Sequence, residues 1–383
     1  MEIAIIKNKL SLYFHWPYCK SKCPYCDFNS HVNNKIDHNL WANAYLNEIG
    51  KHSEQISGKE IRSIFFGGGT PSLMDPSIIE KIIQKILKIC TFAQDIEITL
   101  EANPTSYEAK KFIEFKSAGI NRLSLGIQSL YDQDLKFLGR EHSAREAILT
   151  INSAAEIFEN YSFDLIYTRP NQTVKAWKSE LDQALNLAKD HISLYQLTIE
   201  KGTKFYSMHK AKEFSMPNDE ISYRLYQSTN EIMHQHKFTC YEVSNFARNS
   251  KESKHNLCYW NYDDYLGIGP GAHSRVEDSA IYQIYNPDNW LKAALSDAKA
   301  NQKTEPLSES EMFNEILLMS LRLKDGVKFA KLKEKLGEYN KYLDNKRVSA
   351  LVDNELLIID DIGFRATDQG MVKLNKLIEF LTI

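Results

Sequence analysis

Between Leu12 and Thr198, short apolar runs alternate with longer amphipathic segments, and this rhythm restricts the possible folds more than any other feature of the chain. The runs Leu12–His15, Ser63–Phe66, Ile96–Leu100, Arg122–Gly126, Ser162–Tyr167 and His191–Thr198 have the length and character of strands. Helical patterns lie between them at Asn39–Lys51, Pro76–Thr91, Ser106–Ala118, Leu130–Leu138, Ala144–Phe158 and Val174–Lys189. In the second of these, Ile78, Ile79, Ile82, Ile83, Ile86 and Leu87 recur at three- and four-residue intervals, the mark of one buried helix face. Parallel strands need crossover helices, so serial strand–helix units predict an α/β fold with a parallel sheet. Six units fall short of the eight of a closed barrel, leaving a partial, curved (β/α)6 barrel or an open doubly wound sheet. In either, ligands gather at the carboxyl ends of the strands.

The chemistry-bearing residues fall at those ends. Directly after the first strand comes YFHWPYCKSKCPYCDFNSH, Tyr13 to His31, with three of the six cysteines, Cys19, Cys23 and Cys26, spaced C-x3-C-x2-C. Such thiolates suit a thiophilic metal or an iron–sulfur cluster. A closed zinc site asks for four ligands, and His15 and His31 do not complete the pattern. A [4Fe–4S] cluster held by three thiolates keeps one iron open for a small molecule. Structural cysteines or a zinc knuckle are the alternatives. Strand two runs into Gly67, Gly68, Gly69, Thr70 and Pro71, and strand three ends at Glu101. Strand four continues into Gln128; strand five carries Asp164 and ends in Thr168, Arg169 and Pro170. Taken singly, GGGTP is a turn and Glu101 a helix cap. Their shared position at strand ends makes them one converging site.

The formal net charge of −3 gives no bulk attraction to nucleic acid, and none is expected as a partner. No apolar run reaches the roughly 20 residues of a membrane span, so membrane contact would be peripheral or through a partner. Lys7 and Lys9 interrupt the apolar start and no small-residue cleavage site follows, so no signal peptide is expected. Clustered thiols need reduction, which points to the cytoplasm. After Thr198 the rhythm breaks. A helix near Glu220–His236 and a strand at Thr239–Val243 lead to HNLCYWNYDDYLGIGPGAHSR, His255 to Arg275, dense in aromatics, histidines and glycines. From Glu305 the texture changes again. Helices at Glu309–Leu323, Phe329–Leu336 and Leu343–Asn354 precede a hairpin of Glu355–Ile359 and Gly363–Ala366, a winged-helix-like α+β module.

YFHWPYCKSKCPYCDFNSH, FFGGGTPSL, LEANP, LSLGIQSL, LGREH, FDLIY, HISLYQLTIE and HNLCYW with GIGPGAHS together resemble the radical S-adenosylmethionine (SAM) enzymes. Within them the chain is similar to the oxygen-independent coproporphyrinogen III oxidases and their relatives, the HemW-type haem chaperones. The resemblance implies a partial (β/α)6 barrel over residues 1–245, a connecting segment over 246–304 and the C-terminal module over 305–383. It also implies that Cys19, Cys23 and Cys26 ligate three irons of a [4Fe–4S] cluster and that SAM chelates the fourth. Tyr13, Gly68, Gly69, Thr70, Glu101, Gln128, Arg140 and Asp164 match the family's SAM-binding positions. The chemistry implied is one-electron cleavage of the sulfonium, with the hard step belonging to the cofactor.

Two features separate the branches. Coproporphyrinogen oxidases carry a fourth cysteine two positions beyond the third; this chain has Phe28 there, which puts oxidative decarboxylation in doubt. His255, Asn256, Tyr259 and Trp260 match the H-N-x-x-Y-W signature of the chaperone branch. The imidazole is a candidate axial iron ligand and the aromatics offer flat faces to a porphyrin; the competing reading is a packing seam with His255 in a structural hydrogen bond. The expected function is therefore haem binding and delivery to acceptor haemoproteins such as respiratory enzymes. Coproporphyrinogen III oxidation, or radical chemistry on another substrate, is the alternative. One departure stands out: where the family reads DLIYGLP, this chain has Thr168 and Arg169, with contact to a haem propionate the suggested role for Arg169.

Overall fold

The computed structural model describes residues 9–33 and 35–382, so the apolar start at residues 1–8 lies outside the described residues. The six expected strands form as β1 (Lys9–Trp16), β2 (Glu60–Gly68), β3 (Thr91–Ala102), β4 (Arg122–Gln128), β5 (Asn160–Tyr167) and β6 (His191–Gln196). They pair in sequence order and in parallel throughout. The crossovers include α1 (His38–Lys51), α2 (Pro76–Leu87), α3 (Ala144–Ile157) and α4 (Val174–Leu185). Asp75, with Pro76 behind it, caps α2, and five isoleucines of α2 are buried. At about 1.5–3 kcal/mol for each buried side chain, that face alone anchors the helix to the sheet.

Alternation along each strand sorts residues between two environments. Leu12, Phe14, Ile64, Phe66, Leu100, Leu123, Leu125, Phe163 and Leu165 join the helices in one large apolar core. The opposite face carries Ser11, Tyr13 and His15 on β1, Ser63 on β2, Glu97 and Glu101 on β3, Arg122 on β4, Asp164 on β5 and His191 on β6. It is a polar lumen.

The sheet does not stop at the barrel strands. Past α5 (Asp219–Gln235) come the strands β7 (Thr239–Glu242) and β8 (Asn245–Ala247); β8 pairs antiparallel with β6, and β7 antiparallel with β8. On the other side β9 (Tyr265–Ile268) pairs parallel with β1, and β10 (His273–Val276), β11 (Ser279–Gln283) and β12 (Asn301–Pro306) extend the sheet antiparallel. The order is β12-β11-β10-β9-β1-β2-β3-β4-β5-β6-β8-β7. Residues 246–304, expected as a connection, thus supply most of β8 and the strands β9–β12 on the far side of β1, with β12 running on to Pro306. They also supply α6 (Lys254–Trp260), which packs against β2, and α7 (Pro287–Ala294). Both Glu97 carboxylate oxygens cap the start of α6, accepting from the Ser253 hydroxyl (3.3 Å) and the N–H groups of Lys254 and His255 (3.2 Å each).

The C-terminal module has its own core. It comprises α8 (Glu309–Ser320, with a Ser308/Glu311 capping box), α9 (Phe329–Leu336), α10 (Asn345–Asp353) and α11 (Leu374–Leu381). The expected hairpin is β14 (Leu357–Ile359) with β15 (Gly363–Ala366), and β13 (Val327–Lys328) completes a three-stranded wing. Glu315 fastens the module to the sheet, accepting from Arg275 (2.7 Å) and from the Tyr262 hydroxyl (2.6 Å). Lys331 with Asp263 (2.8 Å) and Lys335 with Asp264 (3.0 Å) reinforce the contact.

Candidate functional site: a thiol loop beside a cavity at the strand ends

The cysteine loop lies over the glycine-rich end of β2. The Gly69 N–H donates to the Trp16 carbonyl (2.7 Å) and the Thr70 N–H to that of Tyr18 (2.9 Å). A Cβ on Gly69 would stand 2.7 Å from the Tyr18 carbonyl oxygen, and one on Gly68 2.6 Å from the His15 ring. Gly68 also has a φ of +113°, so no larger residue fits there without shifting the loop. The glycines therefore serve the close approach of two stretches of this chain.

Polar groups after β2 and β3, together with Arg140 and Ser30, hold the thiols. The Thr70 hydroxyl donates to Cys19 Sγ (3.4 Å) and accepts from Asn103 Nδ2 (2.9 Å). Arg140 donates from Nη1 to Cys23 Sγ (3.3 Å) and from Nη2 to the Gly126 carbonyl (2.8 Å) and Asn103 Oδ1. Cys26 Sγ lies 3.7 Å from the Ser30 hydroxyl. Burial pushes the Cys19 thiol up, against the opposing pull of Thr70 and Arg140. Among the described residues no three His, Cys, Asp or Glu side chains converge on a single-ion site. A cubane makes a different demand, one thiolate to each of three irons around a larger body.

Next to the loop a cavity of about 1000 Å³ opens at the carboxyl ends of β3–β6. This is the upper end of the roughly 300–1,000 Å³ range for small-molecule sites. Glu101, Gln128 and Asp164 line it together. Glu101 accepts from the Gly68 N–H (3.1 Å), which joins the cavity to the thiol loop. Burial, with the nearby Asp164, pushes the Glu101 carboxyl up to about 8. Burial pushes Asp164 up to about 6, against a hydrogen bond from Ser193. Gln128 sits at a φ of 72°, and its buried Oε1 has no hydrogen-bond partner. An orphaned acceptor beside two buried carboxyls suits a ligand bearing an ammonium group and hydroxyls, and the three thiols beside it suit a cluster with one open iron. Tyr25, Asp27 and Phe28 reach the cavity from the cysteine loop, and Phe28 is 60% exposed. Tyr13 stands apart, its hydroxyl 2.9 Å from His15 Nδ1.

The H-N-x-x-Y-W residues lie elsewhere. His255 is buried, with Nδ1 2.8 Å from the Ser63 hydroxyl and Nε2 2.8 Å from the Tyr259 hydroxyl. Its ring stacks on Phe65 at 5.0 Å, and burial holds the imidazole down at about 3. Asn256 donates its N–H to the Ser253 hydroxyl (3.3 Å). Trp260 lies under the Arg322 guanidinium, 4.8 Å from the ring centroid. None of the four lines the large cavity. This is the packing-seam arrangement, with both imidazole nitrogens engaged.

Arg169 is also accounted for. It is 2% exposed and pairs with the fully buried Glu180 and with Asp134 (3.2 Å). Glu180 additionally accepts the Leu130 N–H (2.9 Å). The guanidinium is thus committed inside the protein, and the suggested propionate contact does not hold. Asn103 and Arg322 were not singled out from the sequence. Asn103 follows Glu101 by two residues in EANP, a signal that was available; Arg322 carried none.

Comparison with known proteins agrees with this architecture. The model of the radical SAM superfamily matches residues 13–184, and that of the HemN C-terminal domain matches residues 307–372. The "Heme chaperone HemW" of Haemophilus influenzae is 34% identical, over 97% of this chain and 98% of the relative. The "Radical S-adenosyl methionine domain-containing protein 1, mitochondrial" of Danio rerio is 34% identical, over 96% of this chain and 86% of the relative. Among solved structures, the coproporphyrinogen III oxidase HemN of Escherichia coli superposes with a TM-score of 0.83 at 21% identity, covering 98% of this chain and 90% of that one. With full-length relatives at this identity and the same fold from barrel to wing, the chain belongs to the HemN-like radical SAM family, in its HemW-type branch.

Proposed function

We propose that this protein is a haem chaperone that binds haem, a [4Fe–4S] cluster and SAM and hands haem to acceptor haemoproteins. The observation that carries the reading is Phe28: it stands exposed at the wall of a cavity large enough for a tetrapyrrole, in the place where the oxidases carry a cysteine. An exposed aromatic face holds a flat apolar ligand but cannot act as a thiol. Tyr195 and Tyr223 add aromatic surface to the same cavity. Cys19, Cys23 and Cys26 would hold three irons, and Glu101, Gln128 and Asp164 would bind the amino and ribose groups of SAM. Cluster and SAM together would supply one-electron chemistry, with Arg140 and Thr70 fixing the thiolates by charge-assisted and hydroxyl hydrogen bonds. Free thiols in this role need a reducing compartment, which we take to be the cytoplasm. Among the described residues no helix is long and apolar enough to cross a membrane.

The test is anaerobic reconstitution followed by two assays on one sample. A haem titration read in the Soret region should saturate. Incubation with coproporphyrinogen III, SAM and a reductant should yield no protoporphyrinogen. Protoporphyrinogen formation without haem binding would replace this reading by the oxidase.

A further inference from the structure

The walls of the large cavity divide by charge according to which part of the chain builds them. Every acidic or basic side chain from the barrel side is a carboxyl, Asp27, Glu200 and Asp219 among them; the cations Arg322, Lys373 and Lys376 all come from the C-terminal module. A ligand set with one cationic and one anionic member therefore has its places marked out, the anion facing the module. Lys376 already pairs with Glu379 at 2.7 Å. Arg322 is differently placed. Its guanidinium lies 4.8 Å over the Trp260 ring, and its buried Nε has no hydrogen-bond partner. Among the described residues it makes no ion pair within 4.0 Å. The Glu242 carboxyl feels its charge but is already engaged, accepting from Asn245 and from the Ser244 N–H (3.2 Å). The carbonyl of Trp260 is in turn held by the Ser320 hydroxyl (2.9 Å), two residues before Arg322. The indole thus forms a floor under the guanidinium, and Ser320 ties Trp260 to the helix that leads into Arg322.

We infer that Arg322, seated on the indole face of Trp260, binds the carboxylate side chains of the tetrapyrrole in the large cavity, and that Trp260 serves recognition as a positioning residue without touching the ligand. This rests on the haem-carrier reading. A planar guanidinium on an aromatic face matches a carboxylate bidentately, a match that lysine cannot reproduce. It also gives the tryptophan of H-N-x-x-Y-W a task connected to the cavity that it does not line.

The test compares haem with its dimethyl ester, in which both carboxylates are blocked, by optical titration of the full chain. Wild type should prefer haem by about tenfold or more, the worth of a charge-assisted hydrogen bond. Arg322→Gln should lose most of that preference, keeping only what Lys373 and Lys376 contribute. Trp260→Leu should lose the preference likewise, while Trp260→Phe, which keeps an aromatic floor, should retain most of it. Because each variant is judged by its own ratio between two ligands, a general loss of stability does not imitate the result. An undiminished preference in Arg322→Gln overturns the inference, as does wild type binding both ligands equally. A wild type that binds neither ligand overturns the haem-carrier reading instead.

Discussion

Thr168 occupies a conformation that its side chain resists. Its φ of +60° lies in the left-handed region, which disfavours β-branched residues, and its buried hydroxyl has no partner. The family's glycine at this position has neither problem. Thr168→Gly should therefore stabilise the protein by about 1 kcal/mol in urea unfolding, the strain relieved outweighing the added chain entropy; a less stable variant would show that the side chain contributes packing that compensates. His255 makes the opposite case. Its folded pKa is depressed to about 3 from an ordinary 6.5, so the unfolded chain binds the proton more readily. The stability it contributes is complete above about pH 6.5 and falls by about 1.4 kcal/mol per unit as pH drops towards 3. The stability gap between wild type and His255→Gln should thus be widest at pH 7–8 and close on acidification, as thermal melts across pH would show. A gap that does not change with pH would mean an imidazole protonated alike in both states. At this scale the sequence was legible where spacing carried the signal: the thiols, the glycines and Glu101 sit at strand ends, and Asp164 lies on β5 itself. It was not legible where a partner is remote. Ser63 engages His255 from 192 residues away, and nothing local to HNLCYW announces that contact.

Elements were legible to the extent that their pairing is local. Strands β1–β6 each join the next strand in the chain, and the helix between them writes its buried face into the sequence at helical spacing. Strands β9–β12 carry no clear strand pattern in the sequence because they are short and lie beside turns and glycines. Their place is also set by a register, Ser11 opposite Tyr265, that joins residues far apart in sequence. The close approach explains the glycines: a Cβ on Gly269 would lie 2.4 Å from the His15 carbonyl oxygen. The β5–α4 connection shows how a family departure is absorbed at this scale. Arg169 at the end of β5 reaches Glu180 within α4 and Asp134 on the helix after β4, so it ties three elements together. Arg169→Leu would leave Glu180, fully buried, without its cation, at a cost of about 3–5 kcal/mol. Arg169→Leu with Glu180→Leu should recover most of that loss. The check is a double-mutant cycle by chemical denaturation; strictly additive losses would mean that the pair contributes nothing beyond its separate packing.

At the scale of the molecule, the cavity belongs to neither half alone. The barrel supplies its carboxylates, the cysteine loop supplies Phe28, and the module supplies its cations, so the way the module is fastened decides whether the site is complete. Glu315 is central to that fastening because one carboxylate serves both Arg275 and Tyr262. Arg275 and Glu315 are partly exposed although Tyr262 is buried, so the contact is worth less than a fully buried pair, about 2 kcal/mol. In Glu315→Ala the module should loosen while the barrel keeps its strands, its thiols and the Glu101–Gly68 contact. Cluster content after reconstitution should therefore match wild type by its visible absorption, haem affinity should fall several-fold, and limited proteolysis should cut sooner between β12 and α8. Arg275→Ala should reproduce all three results, since it removes the other side of the same contact. Unchanged haem affinity in a variant that proteases cut faster would show that the module covers the cavity without taking part in binding. Equal loss of haem and cluster would show that the two halves fold as one unit.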